Sequence, residues 1–239
     1  MKIGAIIFSR VSSSRLPNKA FMSLSGKSLL KRVLERVRHI NNIDHICIAT
    51  SENKEDDKIE NFAKSNNVEF FRGSLNDVSS RALEAANHFQ YDDFLRVCGD
   101  RPFLDPIIYD QLIETHKLNS NDLTTNIFPR MVPPGLTGEV INVDALKRSI
   151  IKSNDPIDRE HVTRFFYHNP NLFSIINVNS ISNKELTNLR LVIDDKIDLE
   201  RARWIVKMLK QYGYNEFSTN KIISLAKKWE EQKIIKNKI

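Results

Sequence analysis

Cysteine, glycine and long hydrophobic runs are all scarce in this chain. Only seven glycines and eight prolines occur in 239 residues, which excludes a collagen-like or low-complexity disordered protein. The two cysteines, Cys47 and Cys98, each sit in an apolar, strand-like run. That placement points to reduced core thiols and hence to a cytoplasmic protein. No apolar run approaches the roughly 18 residues that a membrane helix needs, and the opening Met-Lys-Ile-Gly is no secretory leader. No membrane partner is therefore expected. Gly-x-Ser-x-Gly and Cys-x-x-Cys chemistry is missing. His161 and His168 have no further Cys or His nearby, which argues against zinc.

Charge is present but unevenly placed. There are 36 basic and 30 acidic side chains, a formal net charge of +6. Val206 to Ile239 holds eight Lys against three Glu, so this tail carries most of the excess. A nucleic-acid groove would spread Lys and Arg over the whole domain, so the tail reads as a solvated basic helix over about 217–239, with no nucleic-acid partner. Hydrophobic residues at 41% and charged residues at 28% suit a soluble globular chain, and its length suits one large α/β domain over 1–239.

Hydrophobic patterning sets the fold class. Lys2–Phe8, His45–Thr50, Val68–Phe71 and Phe94–Cys98 read as short apolar strands. Between them, Leu29–Ile40, about 54–66 and a segment capped by Asp77 read as amphipathic helices. Strands separated by single helices mean βαβ crossovers: a mainly parallel, Rossmann-like sheet with helices on both faces. Later strands are expected near 123–126, 139–143, 172–178 and 189–193, and helices near 107–117, 144–152, 158–168, 196–212 and 217–234. The Pro-rich stretch from Ile127 to Gly138 is an irregular loop opening an embellishment over about 127–188.

Ligands of such sheets bind beyond the carboxyl ends of the strands. After the first strand comes Ser9-Arg10-Val11-Ser12-Ser13-Ser14-Arg15-Leu16-Pro17-Asn18-Lys19. Its three cations and interleaved hydroxyls make an anion-binding loop, with Arg suited to bidentate phosphate contacts. Ser25-Gly26-Lys27-Ser28 imitates the end of a P-loop, but Phe21 stands where that motif needs glycine. Asp100 and Asp194 each follow a strand-like run, and two carboxylates facing a triphosphate are what Mg²⁺ requires. Arg159-Glu160-His161 is either a proton-transfer or substrate-binding group or a surface helix start.

Several spaced motifs together resemble one family. The first loop resembles A-R-x-G-S-S-R-L-P-G-K, and Phe71-Arg72-Gly73-Ser74 with Asp77, Val78 and Arg81 resembles F-R-G-S-x-x-D-V-x-x-R. Arg96–Pro106 resembles R-x-T-G-D-x-P-L-x-D-P, Arg159–Thr163 matches R-E-H-V-T, and Leu189–Asp194 resembles L-R-L-T-V-D. In order and over nearly the whole chain, these are similar to the cytidylyltransferase family of spore-coat polysaccharide biosynthesis proteins. They are more distantly similar to acylneuraminate and 3-deoxy-manno-octulosonate cytidylyltransferases.

The resemblance implies a nucleotide-diphospho-sugar-transferase (GT-A-like) fold, a homodimer, and Mg²⁺-dependent transfer of CMP from CTP to a sugar or sugar-acid acceptor, releasing pyrophosphate. By position it implies that Arg10, Arg15 and Lys19 hold the triphosphate and that Asp100 and Asp194 bind Mg²⁺. Ser12, Ser13, Ser14, Arg72, Asp77, Arg81 and Cys98 fall on the nucleotide side. Asn126, Arg130, Glu139, Arg159, Glu160, His161 and Arg190 face the acceptor. Ser12 and Asn18 stand where the family has glycine, Cys98 where relatives have Thr or Gln, and Thr137 departs from the usual acceptor loop. Two alternatives follow: a nucleotidyltransferase using a phosphorylated acceptor to give a CDP-product, and a catalytically silent nucleotide-binding scaffold. A glycosyltransferase is disfavoured because Gly99-Asp100-Arg101 lacks the Asp-x-Asp metal motif.

Overall fold

The computed structural model describes residues 1–179, 186, 188–215 and 217–236. In chain order the first half runs β1 (Ile3–Phe8), a small hairpin of β2 (Ser23–Leu24) and β3 (Lys27–Ser28), α1 (Leu29–Val37), β4 (His45–Ser51), α2 (Asp57–Ser65), β5 (Glu69–Gly73), α3 (Val78–His88) and β6 (Asp93–Cys98). The second half adds α4 (Pro106–Asn119), β7 (Leu123–Thr125), β8 (Glu139–Asn142), α5 (Val143–Lys152), α6 (Pro156–Glu160), α7 (Arg164–His168), β9 (Ile175–Asn177), α8 (Lys196–Gln211) and α9 (Thr219–Lys236).

Seven strands form one sheet in the order β5-β4-β1-β6-β8-β7-β9. The first four pair in parallel, β8 runs antiparallel to both β6 and β7, and β9 returns parallel to β7. Burial explains why β1 is so apolar: Ile3, Ala5, Ile6 and Ile7 are fully enclosed, with Ile3, Ala5 and Ile7 in one core cluster and Ile6 in the other. A central parallel strand has no wet face, so alternation disappears. The chain leaves β1 toward β4 and β5, then crosses back to place β6 on β1's other side. The crevice beyond β1 and β6 is therefore the topological switch point, where ligands of open α/β sheets bind.

Three expectations are corrected. Leu189–Ile193 is not a strand. Leu189, Leu191 and Ile193 are buried in alternation as a strand's would be, but no sheet edge reaches them. Their backbone pairs with loops instead: Leu191 N–H donates to Pro134 O at 2.7 Å and Ile193 N–H to Asp100 O at 3.0 Å. The helix expected over 158–168 is two short ones, α6 and α7, broken at His161-Val162-Thr163. Two β-branched residues occupy that break, and buried Val162 and Thr163 turn inward there. The strand expected at 172–178 shortens to β9, because Pro170–Leu172 forms a 3-10 turn. The part of the 127–188 embellishment at 180–185 and 187 lies outside the described residues.

Candidate active site

The Arg10–Lys19 loop is held from below by a residue that pattern alone does not single out. Asp56, fully buried, accepts the Val11 N–H at 2.6 Å and the Ser51 N–H at 3.2 Å, and also takes the Ser51 hydroxyl. Asn18 N–H donates back to Val11 O at 3.1 Å and closes the loop. Asn18 sits at φ 58°, ψ 22°, the left-handed region that favours glycine and that Asn tolerates best among the others. Ser12 has no positive φ, so nothing in its backbone asks for glycine. Val11, Leu16 and Ala20 anchor the loop in the core. Arg10, Ser12, Ser13, Ser14, Arg15 and Lys19 then line a cavity of about 340 Å³ together with Arg81, Cys98 and Asp100.

β6 supplies the opposite wall. Gly99 N–H donates to Phe8 O at 2.8 Å, and a Cβ at position 99 would stand 3.0 Å from both that oxygen and the Ser9 side chain. Glycine thus lets the ends of β1 and β6 close together and brings Asp100 opposite Lys19. The extended 189–194 segment delivers Asp194 to the same point. Gly135 secures that delivery: at φ +109° it packs on the Leu191 backbone, which a Cβ would approach to 2.5 Å.

Lys19 Nζ donates to Asp100 Oδ2 at 2.8 Å, to Ile193 O at 3.1 Å and to Asp194 Oδ1 at 3.2 Å. Arg15 Nη2 stands 3.5 Å from the same Asp194 oxygen. Burial alone would lower the Lys19 pKa, but the two carboxylates outweigh it and hold it above its ordinary value. Arg81 is the converse case. Burial, with Arg10 nearby, pushes its guanidinium down to about 10, and its Nε has no acceptor.

A second cavity of about 600 Å³ adjoins the first. Its wall includes Arg96 and Glu139, register partners on β6 and β8. Arg96 Nη1 donates to Glu139 Oε2 at 2.5 Å, while Tyr167 OH donates to Oε1 at 2.7 Å. Burial opposes ionisation of Glu139, yet Arg96 and the Tyr167 hydroxyl keep its pKa below the usual value. Arg130, His161 and Arg190 also line this cavity. Arg190 donates to Asp194 and Asp198, and buried Asp198 also accepts the Asp194 N–H at 3.0 Å. The two cavities lie side by side at the switch point, one lined by the Arg10–Lys19 loop and both bordered by Asp100 and Asp194.

The cytidylyltransferase family model matches residues 4–234. The chain belongs to the cytidylyltransferase family. It is 34% identical over 194 residues to the uncharacterized protein MJ1063 of Methanocaldococcus jannaschii, covering 81% of this chain and 79% of that one. It is 31% identical over 203 residues to the spore coat polysaccharide biosynthesis protein SpsF of Bacillus subtilis, covering 83% of each. A solved cytidylyltransferase from Leptospira borgpetersenii superposes with a TM-score of 0.86 at 28% identity, over 98% of this chain and 96% of that one.

In this cytidylyltransferase, several residues named from sequence do not reach either cavity. Arg72 donates Nη1 to Asp57 at 2.6 Å and Glu60 at 2.9 Å, Nε to Ser51 O and Nη2 to Asn53 O, so it staples β5 to α2. Asp77 caps α3, its two oxygens accepting Ser80 N–H and Oγ–H, each at 2.8 Å. Arg159 donates to Ile150 O at 2.7 Å and Ser153 O at 3.2 Å, and stands 3.5 Å from Asp77. Asn126 is fully buried and bridges Leu136 O and Gly138 N–H across the Pro-rich loop. Glu160 and His161, by contrast, border the first cavity, with Glu160 3.8 Å from Arg10.

Sequence reasoning missed Asp56, Tyr167 and Asp198. Asp56 lies in a charged run that reads as a solvated helix start, and nothing in its neighbours marks it as buried. Asp198 follows Asp194-Asp195 on the pattern of a helix N-terminus, which is also where it sits.

Proposed function

We propose that this chain transfers CMP from CTP to an oxygen of a sugar or sugar acid, using magnesium and releasing pyrophosphate, in the synthesis of surface-glycan precursors. The reading rests on one observation above all: Lys19, at the end of a loop of arginines and hydroxyls, is gripped by Asp100 and Asp194. Cations for a triphosphate and a pair of carboxylates thus meet at one point.

The donor set there suits magnesium. Among the described residues no group of three or more His, Cys, Asp or Glu could hold a metal ion. Magnesium at phosphate sites takes one or two carboxylates and fills the rest of its shell with phosphate and water. Asp100 and Asp194 would hold it, and when bound it would neutralise phosphate charge and polarise the phosphoryl oxygens.

In the transfer an acceptor oxygen forms a bond to the α-phosphorus while the bond to the β-phosphate bridging oxygen breaks, so pyrophosphate carries away the electron pair. Such chemistry needs in-line placement and charge neutralisation more than covalent help. Arg10, Arg15 and Lys19 are placed to receive the growing charge on the leaving group. Lys19, with its raised pKa, stays a cation at neutral pH and serves as a donor, not a base. The Ser12–Ser14 hydroxyls and loop N–H groups complete the cradle. The acceptor hydroxyl gives up its proton to the acceptor's own carboxylate or to water as the new bond forms, so the step asks for no protein base.

The reading extends to a homodimer. Such a dimer would have large apolar side chains over half exposed available to it, Ile151, Ile157 and Leu172 among them. No helix among the described residues is long and apolar enough to cross a membrane.

The test is pyrophosphate release with Mg²⁺, each NTP in turn, and a panel of acidic and phosphorylated sugars. CTP-specific release is expected. Product mass then separates a CMP-linked sugar acid from a CDP-linked product, and CTP binding without release from any acceptor would favour a silent scaffold.

A further inference from the structure

The two cavities share one wall, formed by Arg96, Cys98, Asp100, His161 and Asp194. By strand alternation Arg96 and Cys98 lie on one face of β6, which leads outward to Asp100. Asp100 marks the triphosphate end of the wall under the reading above. Arg96 lies two alternations inward, on the side of the second cavity.

Arg96 is held by one corner only. Carboxylates commonly take both arms of an arginine fork. Here Tyr167 OH occupies Oε1 of Glu139, which leaves Oε2 alone for Arg96 Nη1. Tyr167 is itself fixed by Thr125 Oγ1 at 3.0 Å and by the Phe128 ring, 5.1 Å between centroids. Arg96 Nε is enclosed and has no acceptor. The Arg96 side chain nevertheless keeps 18% of its surface open, against 2% for Glu139. Arg96 and Arg101 both face the buried Glu139 carboxylate, and Arg101 also faces Asp100. Arg101 spends Nη1 on a neutral carbonyl, Thr137 O, at 2.5 Å. A buried donor with no acceptor, on a cationic group that borders an open cavity, is an incomplete anion site.

We infer that Arg96 selects the acceptor: its unspent N–H groups receive an anionic oxo group, carboxylate or phosphate, carried by the acceptor away from its reacting oxygen. Glu139 and Tyr167 hold the guanidinium for this contact, and a small pivot about the Glu139 corner frees Nε for the ligand. The inference rests on the cytidylyl-transfer reading and adds the residue that chooses the second substrate.

The experiment is calorimetric titration of the full chain saturated with Mg²⁺ and a non-hydrolysable α,β-methylene CTP. The probes are 3-deoxy-manno-octulosonate for carboxylate, glucose 1-phosphate for phosphate, and glucose as the neutral control. One anionic probe is expected to bind the loaded wild type and glucose is not; which one binds identifies the source of the oxo group. Arg96→Lys is expected to weaken that binding tenfold or more while the CTP analogue's Kd moves less than twofold. Should Arg96→Lys not fold, the double variant Arg96→Gln/Glu139→Gln removes both buried charges together. It is expected to retain the CTP analogue and lose the preference for the anionic probe over glucose. Unchanged anion binding in Arg96→Lys, an equal loss of CTP-analogue binding, or no binding of either anionic probe would overturn the inference. Failure of the CTP analogue to bind wild type would instead overturn the proposed function.

Discussion

Lys19 shows how much a single side chain can organise. It joins the loop after β1 to Asp100 after β6 and to Asp194 on the 189–194 segment, three stretches far apart in sequence. Asp100→Asn keeps the shape of this junction and leaves Lys19 its Asp194 partner, so the fold should lose about 2 kcal/mol, the scale of one hydrogen bond to a charged group. Turnover should fall by about 10²-fold or more, the scale on which one electrostatic contact to a transition state acts. Steady-state rates beside a thermal melt check both parts; an undiminished rate would remove Asp100 from the metal role. At this scale the sequence was readable where chemistry and position coincide. Arg10, Arg15 and Lys19 follow a buried strand and do line the cavity. Arg72, Asp77 and Arg159 sit in equally distinctive motifs, yet their donors and acceptors are spent on backbone and neighbouring side chains. A motif marks a residue that matters, and does not tell a ligand contact from a staple.

Elements carry these residues through a few buried polar joints. Asp56, at the entry to α2, ties the Arg10–Lys19 loop to the end of β4. Asp56→Ala would strand buried N–H groups of Val11 and Ser51, costing about 2 kcal/mol. The loosened loop should raise half-saturation by CTP about tenfold, equivalent to about 1.4 kcal/mol. A melt combined with CTP titration of initial rates tests this, and an unmoved half-saturation would confine Asp56 to stability. The β6–β8 pair makes a pH-dependent joint. Glu139 has a folded pKa below its ordinary 4.5. Its stabilising contribution is therefore fully present above that value and is lost as pH falls through the folded pKa. Glu139→Gln leaves Arg96 without its counter-charge and should cost about 3 kcal/mol at pH 7. The gap between variant and wild-type melting temperatures should narrow below pH 4.5; a gap constant down to pH 3.5 would contradict the assignment. The strands of the parallel half were legible because burial on both faces leaves continuous apolar runs. Leu189–Ile193 has the same alternation and is no strand, since alternation reports which side chains are buried and not what the backbone pairs with.

The whole molecule converts a strand order into a site. Placing β6 beside β1, after the chain has run outward through β4 and β5, opens the crevice in which the Arg10–Lys19 loop, Asp100 and Asp194 meet. The βαβ pattern makes the first four strands parallel and puts the site at their carboxyl ends, so that end of the sheet was legible in the sequence. The strand order that picks out β1 and β6 was not. Nor were the closing contacts, because Gly135 on Leu191, Asp198 on Asp194 and Tyr167 on Glu139 all join segments that no local pattern relates. In the crevice Asp100 and Asp194 press on Lys19, and the Ser12 hydroxyl and Arg81 Nε are enclosed without protein partners. A triphosphate with its cation would satisfy these groups in the folded state alone. Ligand at about 100 times its Kd stabilises by about 2.7 kcal/mol. For a chain of this length that corresponds to a rise of about 5–10 °C in melting temperature. CTP with Mg²⁺ should give that rise, CTP with excess chelator clearly less, and Asp100→Asn should lose most of the magnesium-dependent part while keeping the rest. A melt that responds equally to CTP with and without Mg²⁺ would show that the Arg10–Lys19 loop binds the triphosphate without the carboxylate pair.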